Sequence, residues 1–283
     1  MKIQHLRNAT TLITFGKHCL LIDPMFSEPG TLPGFKLFGG GRRANPLVPL
    51  PEETDSLLTH VTDVLITHEH PDHIDIPAIE WIKDHGIPVW ASSIDAPNLR
   101  KKLPNVQEVK SGAFGASIEI LAAQHGRGML GWFMGPVSGY YLAYPDEPSL
   151  YITSDAILTD DLLSSVDRLH PDIIIAPAGA ANIGIGSDIL FSVDELVTLI
   201  KRTSGEVILN HLEAIDHCPT ARDGLRQRME VEELGARVHI PEDGEQMHFD
   251  RPATSPYTLP EERISTGRIP GFQKWLTAKF TMT

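Results

Sequence analysis

Residues 67–75 read Thr-His-Glu-His-Pro-Asp-His-Ile-Asp, which places His68, His70, Asp72 and His73 within six residues. Imidazole is the commonest metal ligand among side chains, and carboxylate accompanies it at zinc, manganese and iron sites. Alternate residues of an extended segment point the same way, so His68 and His70 can address one ion. Asp72 and His73, in the turn that enters a helix, can aim at a neighbouring point. A solvated helix N-terminus with incidental histidines is the bland alternative, and it does not explain so dense a run.

Four ligands from one loop cannot close two metal sites. Three further candidates each follow a strand-like run: His125 after 118–124, Asp155 after 150–153 and His211 after 207–210. Proteins of the α/β class assemble their sites at the carboxyl ends of strands. Any one of these residues alone reads as structural, and with the loop they read as ligands. Cys218, close to His211, reads as a buried structural thiol rather than a ligand. His217 follows His211 by six residues. As leaving-group acid or substrate contact it would be catalytic, and a surface or capping role stays open beside that. His5, His18, His60, His85, His170, His239 and His248 have no such context and read as structural or solvated.

The elements that must position these groups alternate between strand and helix. Strands are expected over 2–6, 11–15 and 18–23, with Gly16 and Lys17 as a hairpin turn. Residues 27–51 hold five prolines and five glycines and read as a functional loop, a lid or pocket wall. A strand over 63–67 leads to a helix over 76–85, with Pro77 in its first turn and Gly86 as its stop. A strand at 88–91 and a short helix at 95–103 repeat the unit. Further strands fall at 116–123, 138–143, 150–153, 172–177 and 206–211. Ser192 with Glu195 and Thr220 with Asp223 are spaced as capping boxes, the second opening a helix that Gly235 ends. The stretch Gly126 to Gly135 reads as a loop, and Gly184-Ile-Gly186 as a turn rather than a phosphate loop. The fold class is α/β.

Composition bounds the rest. The chain has 283 residues, 24 Lys plus Arg against 37 Asp plus Glu, a net charge of −13, and 41% hydrophobic residues. That describes a globular chain of one large or two small domains and excludes a largely disordered one. Two cysteines are too few for a disulfide framework. The acidic balance disfavours nucleic acid as a partner. No apolar run approaches the roughly 18 residues that span a bilayer, so no integral membrane segment is expected and a cytoplasmic location follows by default.

Over residues 1 to about 250, Asp23, the His68 to His73 motif, His125, Asp155 and His211 occur in the order that resembles the metallo-β-lactamase-fold hydrolase superfamily. Asn8-Ala9-Thr10, Asp23-Pro24, Ala123-Gln124-His125, Gly135-Pro136-Val137-Ser138-Gly139 and the Tyr151 to Asp155 strand are most similar to its L-ascorbate-6-phosphate lactonase-like branch. The phospholipase D that cleaves N-acyl-phosphatidylethanolamine has a similar N-terminal phrase. The resemblance implies a four-layer αβ/βα sandwich over residues 1–250. Residues 251–283 begin with a Pro- and Ser-containing linker and read as a C-terminal extension whose segment around Trp275 packs on the domain or on a partner subunit of a homo-oligomer.

It also implies that His68, His70 and His125 hold a first metal and Asp72, His73 and His211 a second, with Asp155 bridging and Asp23 supporting the metal loop. Zinc or manganese is usual in the superfamily, and the donor types suit iron too. Two such ions would draw hydroxide from a shared water, with Asp72 orienting it and accepting its proton. The expected function is a dinuclear metal-dependent hydrolase of a small ester or lactone. Arg42, Arg43, Arg127 and Trp132 are candidate contacts to an anionic or ring-shaped substrate, or else the arginines pair with surface carboxylates. A phosphodiesterase or phospholipase D-like hydrolase is the alternative, a non-catalytic metal-binding protein a remote one. A nuclease is disfavoured by the charge.

Overall fold

The computed structural model describes residues 1–253. From residue 254 onward the expected C-terminal extension lies outside the described residues. Strands β1 (Lys2–Arg7), β2 (Thr10–Phe15) and β3 (His18–Ile22) form an antiparallel meander. Its second turn is tight because Gly16 takes φ +51°, and a Cβ there would lie 2.6 Å from the Tyr144 hydroxyl. The expected loop follows, carrying a single bridge between Leu32 and Asn45. Helix α1 (Thr54–Leu58) leads into β4 (Asp63–Ile66). Helix α2 (Ile76–His85) starts where Asp75 accepts the Ala78 N–H, has proline in its first turn, and stops at Gly86 with φ +64°.

After β5 (Val89–Ala91), helix α3 (Ala96–Leu99) is a single turn. The expected helix ran to 103, but past Leu99 the chain continues in turns towards Pro104, which disfavours helix in the residue before it. Strand β6 (Val106–Glu108) closes the first half.

The second half runs β7 (Ser117–Gln124), α4 (Gly128–Met134), β8 (Pro136–Ala143), β9 (Leu150–Ile152), α5 (Asp160–Leu169), β10 (Ile173–Pro177), α6 (Val193–Arg202), β11 (Glu206–Asn210), α7 (Arg222–Val231) and β12 (Val238–His239). Strand β13 (Gln246–His248) then returns to pair with β1. Helix α4 corrects the reading of 126–135 as a loop. None of its residues is buried, so it lacks the one-sided pattern that marks a helix in sequence.

The Ser192–Glu195 capping box forms at α6. The second one does not. Helix α7 begins after Ala221 without a side-chain cap, because the Thr220 N–H goes to the Gly179 carbonyl and the Asp223 carboxylate pairs with Arg226. The same helix ends at Val231, and Gly235 opens a separate 3-10 turn.

The strands form two mixed sheets, ordered β13-β1-β2-β3-β4-β5-β6 and β12-β11-β10-β9-β8-β7. Side chains alternate between faces. Ile13, Leu20 and Leu65 thus meet Tyr140, Ile152 and Ile175 between the sheets, while Leu12, Leu21 and Val64 face Leu58, Ala78 and Ile82 of α1 and α2. On the far side Tyr151, Ile174 and Val207 pack under α5, α6 and α7. The result is the expected four-layer αβ/βα sandwich. Strands β3, β4, β7, β9, β10 and β11 all run the same way within their sheets, so their carboxyl ends share one rim.

Candidate metal centre

That rim gathers the expected residues. Asp23 follows β3, His125 follows β7, Asp155 lies three residues past β9 and His211 follows β11. Asp23, Ser154 and His211 take φ of +46°, +56° and +54°. Non-glycine residues visit this region rarely and at a cost of roughly 1–3 kcal/mol, so three at strand ends mark a built site. Each turns the chain sharply enough to aim a carboxylate or imidazole across the rim.

One oxygen sits at the middle. Asp155 Oδ2 lies 3.3 Å from His73 Nε2, 3.5 Å from His125 Nε2, 3.6 Å from His211 Nε2 and 3.8 Å from His68 Nε2. Three ligand sets form around it, His68–His70–His125, His68–His73–Asp155 and Asp72–His73–His211, each with its donor atoms within 4.8 Å of one another. His73 Nε2 faces His211 Nε2 at 3.2 Å, and His68 Nε2 faces His70 Nδ1 at 3.0 Å.

The outer ring nitrogens are tied down. His73 Nδ1 meets Asp23 at 2.8 Å, His125 Nδ1 the Ile189 carbonyl at 2.8 Å, and His68 Nδ1 the Thr67 hydroxyl at 3.1 Å. His70 bonds to the backbone of Met134. Such outer contacts fix ring orientation, leaving the inner nitrogens to converge. Asp23 also accepts the Thr67 N–H and hydroxyl, each at 2.7 Å, so it holds the metal loop as well as one ligand.

The electrostatics fit a pair of divalent cations. Burial pulls the imidazoles of His68, His70 and His125 down, the last to about 4, so each presents a lone pair at neutral pH. Burial opposes ionisation of Asp72 and Asp155, but the surrounding imidazoles outweigh it and hold both carboxyls well below their usual range. Around the other two rings the balance reverses. Burial pulls His73 down, yet Asp155 and Asp23 lift it to about 10, and Asp155 raises His211 likewise. Buried carboxylates that keep protons on adjacent imidazoles are a site with surplus negative charge, which metal ions would neutralise in place of those protons.

His217 joins the cluster, with Nε2 3.6 Å from Asp72 Oδ2 and the ring edge-on to Phe35 at 5.5 Å. Its Nδ1 is buried without a partner. Two of the candidate arginines have side-chain partners outside the ligand set. Arg127 pairs with Glu195 and reaches the Leu158 carbonyl, and Arg42 Nε donates to the Gly34 carbonyl at 2.9 Å. Arg43 contributes its backbone N–H to Asp216. Trp132 stands half-exposed on α4.

Three supporting residues escape sequence reasoning. Asn8 donates from Nδ2 to the Asp72 carbonyl at 2.8 Å, while its own carbonyl accepts the His211 N–H at 2.9 Å, joining the two halves of the centre. The phrase Asn8-Ala9-Thr10 marks the position but not this role. Asp216 gathers the long loop, accepting from Phe35 N–H at 2.8 Å, Lys36 N–H at 3.3 Å, Arg43 N–H at 3.1 Å and Asn45 Nδ2 at 2.8 Å. Cys218 is buried as expected, but its Sγ lies 3.3 Å from His211 Nδ1, against the back of a ligand ring. Among the described residues both cysteines are free thiols.

Comparison with known proteins shows what the chain is similar to. The model of the Beta-lactamase superfamily domain matches residues 18–212. The UPF0173 protein YddR of Bacillus subtilis (strain 168) is 29% identical over 254 residues, which cover 88% of this chain and 100% of that protein. Among solved structures, the isothiocyanate hydrolase from Delia radicum gut bacteria is 27% identical with a TM-score of 0.80, covering 88% of this chain and 100% of that one. A possible metal-dependent hydrolase from Veillonella parvula DSM 2008 is 27% identical with a TM-score of 0.79, covering 87% and 98%.

Proposed function

The chain belongs to the family of the Beta-lactamase superfamily domain, and from that premise we propose that it is a metal-dependent hydrolase opening a small ester or lactone. The observation that carries the reading is the single Asp155 oxygen ringed by four imidazole nitrogens at 3.3 to 3.8 Å. In this reading His68, His70 and His125 would hold one ion and Asp72, His73 and His211 the other, with Asp155 available to both. Two divalent ions, zinc or manganese with iron also suited to the donors, would acidify a shared water and polarise the electrophile.

The chain's own groups do the rest. Asp23, Thr67 and the Ile189 carbonyl keep the ligand rings in register, so no reorganisation is needed when charge develops. Asp72 is held ionised by neighbouring imidazoles, which suits it to orient the attacking water as a hydrogen-bond acceptor. His217, whose Nε2 faces Asp72 Oδ2 and whose Nδ1 has no partner among the described residues, is placed to contact the substrate or its leaving group. Burial lowers its pKa, so at neutral pH it does so as a neutral imidazole.

Carbon is taken as the electrophile on the resemblance to the lactonase-like branch; of the candidate anion contacts, Arg127 is already paired with Glu195. A second reading comes from the likeness to an isothiocyanate hydrolase: the central carbon of an N=C=S group is attacked as a carbonyl carbon is. A panel of lactones, short esters, isothiocyanates and phosphodiesters, offered to protein loaded with zinc or manganese, tests both. Turnover confined to phosphodiesters would remove the carbon electrophile. Equal turnover in loaded and metal-stripped protein would remove the metal-dependent reading altogether.

A further inference from the structure

Eight large apolar side chains stand exposed among the described residues, and six of them, Leu37, Phe38, Met129, Trp132, Phe133 and Ile185, lie on three neighbouring segments. Singly exposed apolar residues are ordinary on a protein surface; a contiguous group marks a functional one. The segments touch each other. The Phe38 N–H donates to the Ile183 carbonyl at 2.9 Å, and a Cβ on Gly184 would lie 1.9 Å from the Phe38 carbonyl oxygen. A Cβ on Gly186 would lie 3.4 Å from the Leu130 side chain of α4. Only glycine at 184 lets this loop seat so closely on the first segment.

Each segment is also fastened to the metal centre. The first carries Phe35, edge-on to His217. The second, α4, follows His125 by three residues and offers its Met134 backbone to His70. The third leads to Ile189, whose carbonyl holds His125. Their inward side chains, Phe35, Leu130, Met134 and Ile183, pack on a buried cluster with Met25, Ile189 and Ile215. Apolar side chains therefore run from the exposed rim, through this buried cluster, to the neighbourhood of His217 and His125.

We infer that this rim is the binding surface for a bulky apolar group on the substrate, so that the site takes an ester, lactone or isothiocyanate bearing an alkyl or aryl chain rather than a compact, wholly polar one. The inference rests on the hydrolase reading above. Continuity with the ligands distinguishes a substrate surface from a protein contact, which would have no reason to run inward to His70 and His217. An apolar chain seated there leaves water much as a side chain does in a core, so binding strengthens by about two- to fourfold per buried methylene.

Two measurements on the full chain test it. Metal-loaded protein is assayed on 4-nitrophenyl esters from acetate to decanoate, and metal-free protein is titrated calorimetrically with neutral 4-alkylphenols of rising chain length. The expected results are a kcat/KM that climbs about two- to fourfold per methylene up to six or so carbons, a matching rise in phenol affinity, and shallower slopes for both in Phe133→Ser and Leu37→Ser proteins that keep the parent melting temperature. Turnover and binding that ignore chain length overturn the inference while leaving the hydrolase reading in place. No turnover of any ester, beside a phenol series that does depend on length, places the failure in the reaction and keeps the apolar surface. A dimer in the parent that becomes monomeric in Phe133→Ser, with unchanged slopes, would assign the rim to a second copy of the chain and overturn the inference.

Discussion

Replacing Asp216 by alanine should loosen the loop at 27–51 without unfolding the sandwich. The carboxylate receives four donors from that loop, at 2.8 Å from Phe35 N–H, 3.3 Å from Lys36 N–H, 3.1 Å from Arg43 N–H and 2.8 Å from Asn45 Nδ2. Hydrogen bonds to a charged group contribute roughly 1.5–3 kcal/mol each and do not add, so a loss of about 2–4 kcal/mol is expected for the four together. The loop can open by itself, so the loss falls on local rather than global stability. Protection of the Phe35, Lys36 and Arg43 amides against hydrogen exchange should drop by roughly 30- to 900-fold at about 1.4 kcal/mol per decade, while the melting temperature moves little. Burial tends to raise the Asp216 pKa, but Asn45 and the three backbone N–H groups hold it below its ordinary value. Its contribution is then complete above the ordinary carboxylate range and fades as pH falls through the depressed folded value, so the loop should remain protected at pH 4. Exchange measured by mass spectrometry on peptides covering 30–46 decides the matter. Protection equal to the parent in Asp216→Ala and Asp216→Asn would refute the latch.

Three further outcomes follow, two from contacts around the centre and one from a partly buried carboxylate elsewhere in the fold. Asp23→Asn removes the acceptor shared by Thr67 and His73 and should weaken metal binding by roughly 10- to 100-fold in a chelator competition; unchanged affinity would show that His73 holds its place unaided. Cys218→Ala takes the thiol from behind His211 Nδ1 and should weaken the more labile of two bound ions by about tenfold, with the fold retained by circular dichroism. Burial raises the Asp243 pKa, yet the hydrogen bond from His5 and the charges of His5 and Arg222 hold it lower. The stability it contributes is full above the ordinary carboxylate range and lost as pH falls through the lowered folded value, so the urea midpoint of the parent should decline on acidification more steeply than that of Asp243→Asn.

The centre was legible in sequence because its chemistry is dense and local. Four candidate ligands fall within six residues, and His125, Asp155 and His211 could be added because each follows a strand whose apolar run is easy to see. The supports are another matter. Asn8 and Asp216 are ordinary polar residues in sequence, and their partners lie 64 and 171 to 181 positions away, a distance only the fold closes. Helix α4 gave no signal because Met129, Trp132 and Phe133 are exposed while Leu130 and Met134 pack only partly against a core, so no one-sided apolar stripe marks it. The supposed cap at Thr220 failed for a tertiary reason: its backbone N–H is drawn to Gly179, leaving the helix to start after Ala221. The candidate arginines were named for their charge, but charge alone does not say whether a guanidinium is free, and Arg127 is tied to Glu195.

The claim at the centre of the account is that Asp155 Oδ2 joins two ligand sets into one dinuclear site. Loading the metal-free protein with excess zinc or manganese, desalting it and counting ions by plasma mass spectrometry tests this directly. Two equivalents per chain in the parent, with at most one in a folded Asp155→Ala protein, is the expected result. A parent that retains none, or an Asp155→Ala protein that still holds two, would contradict it.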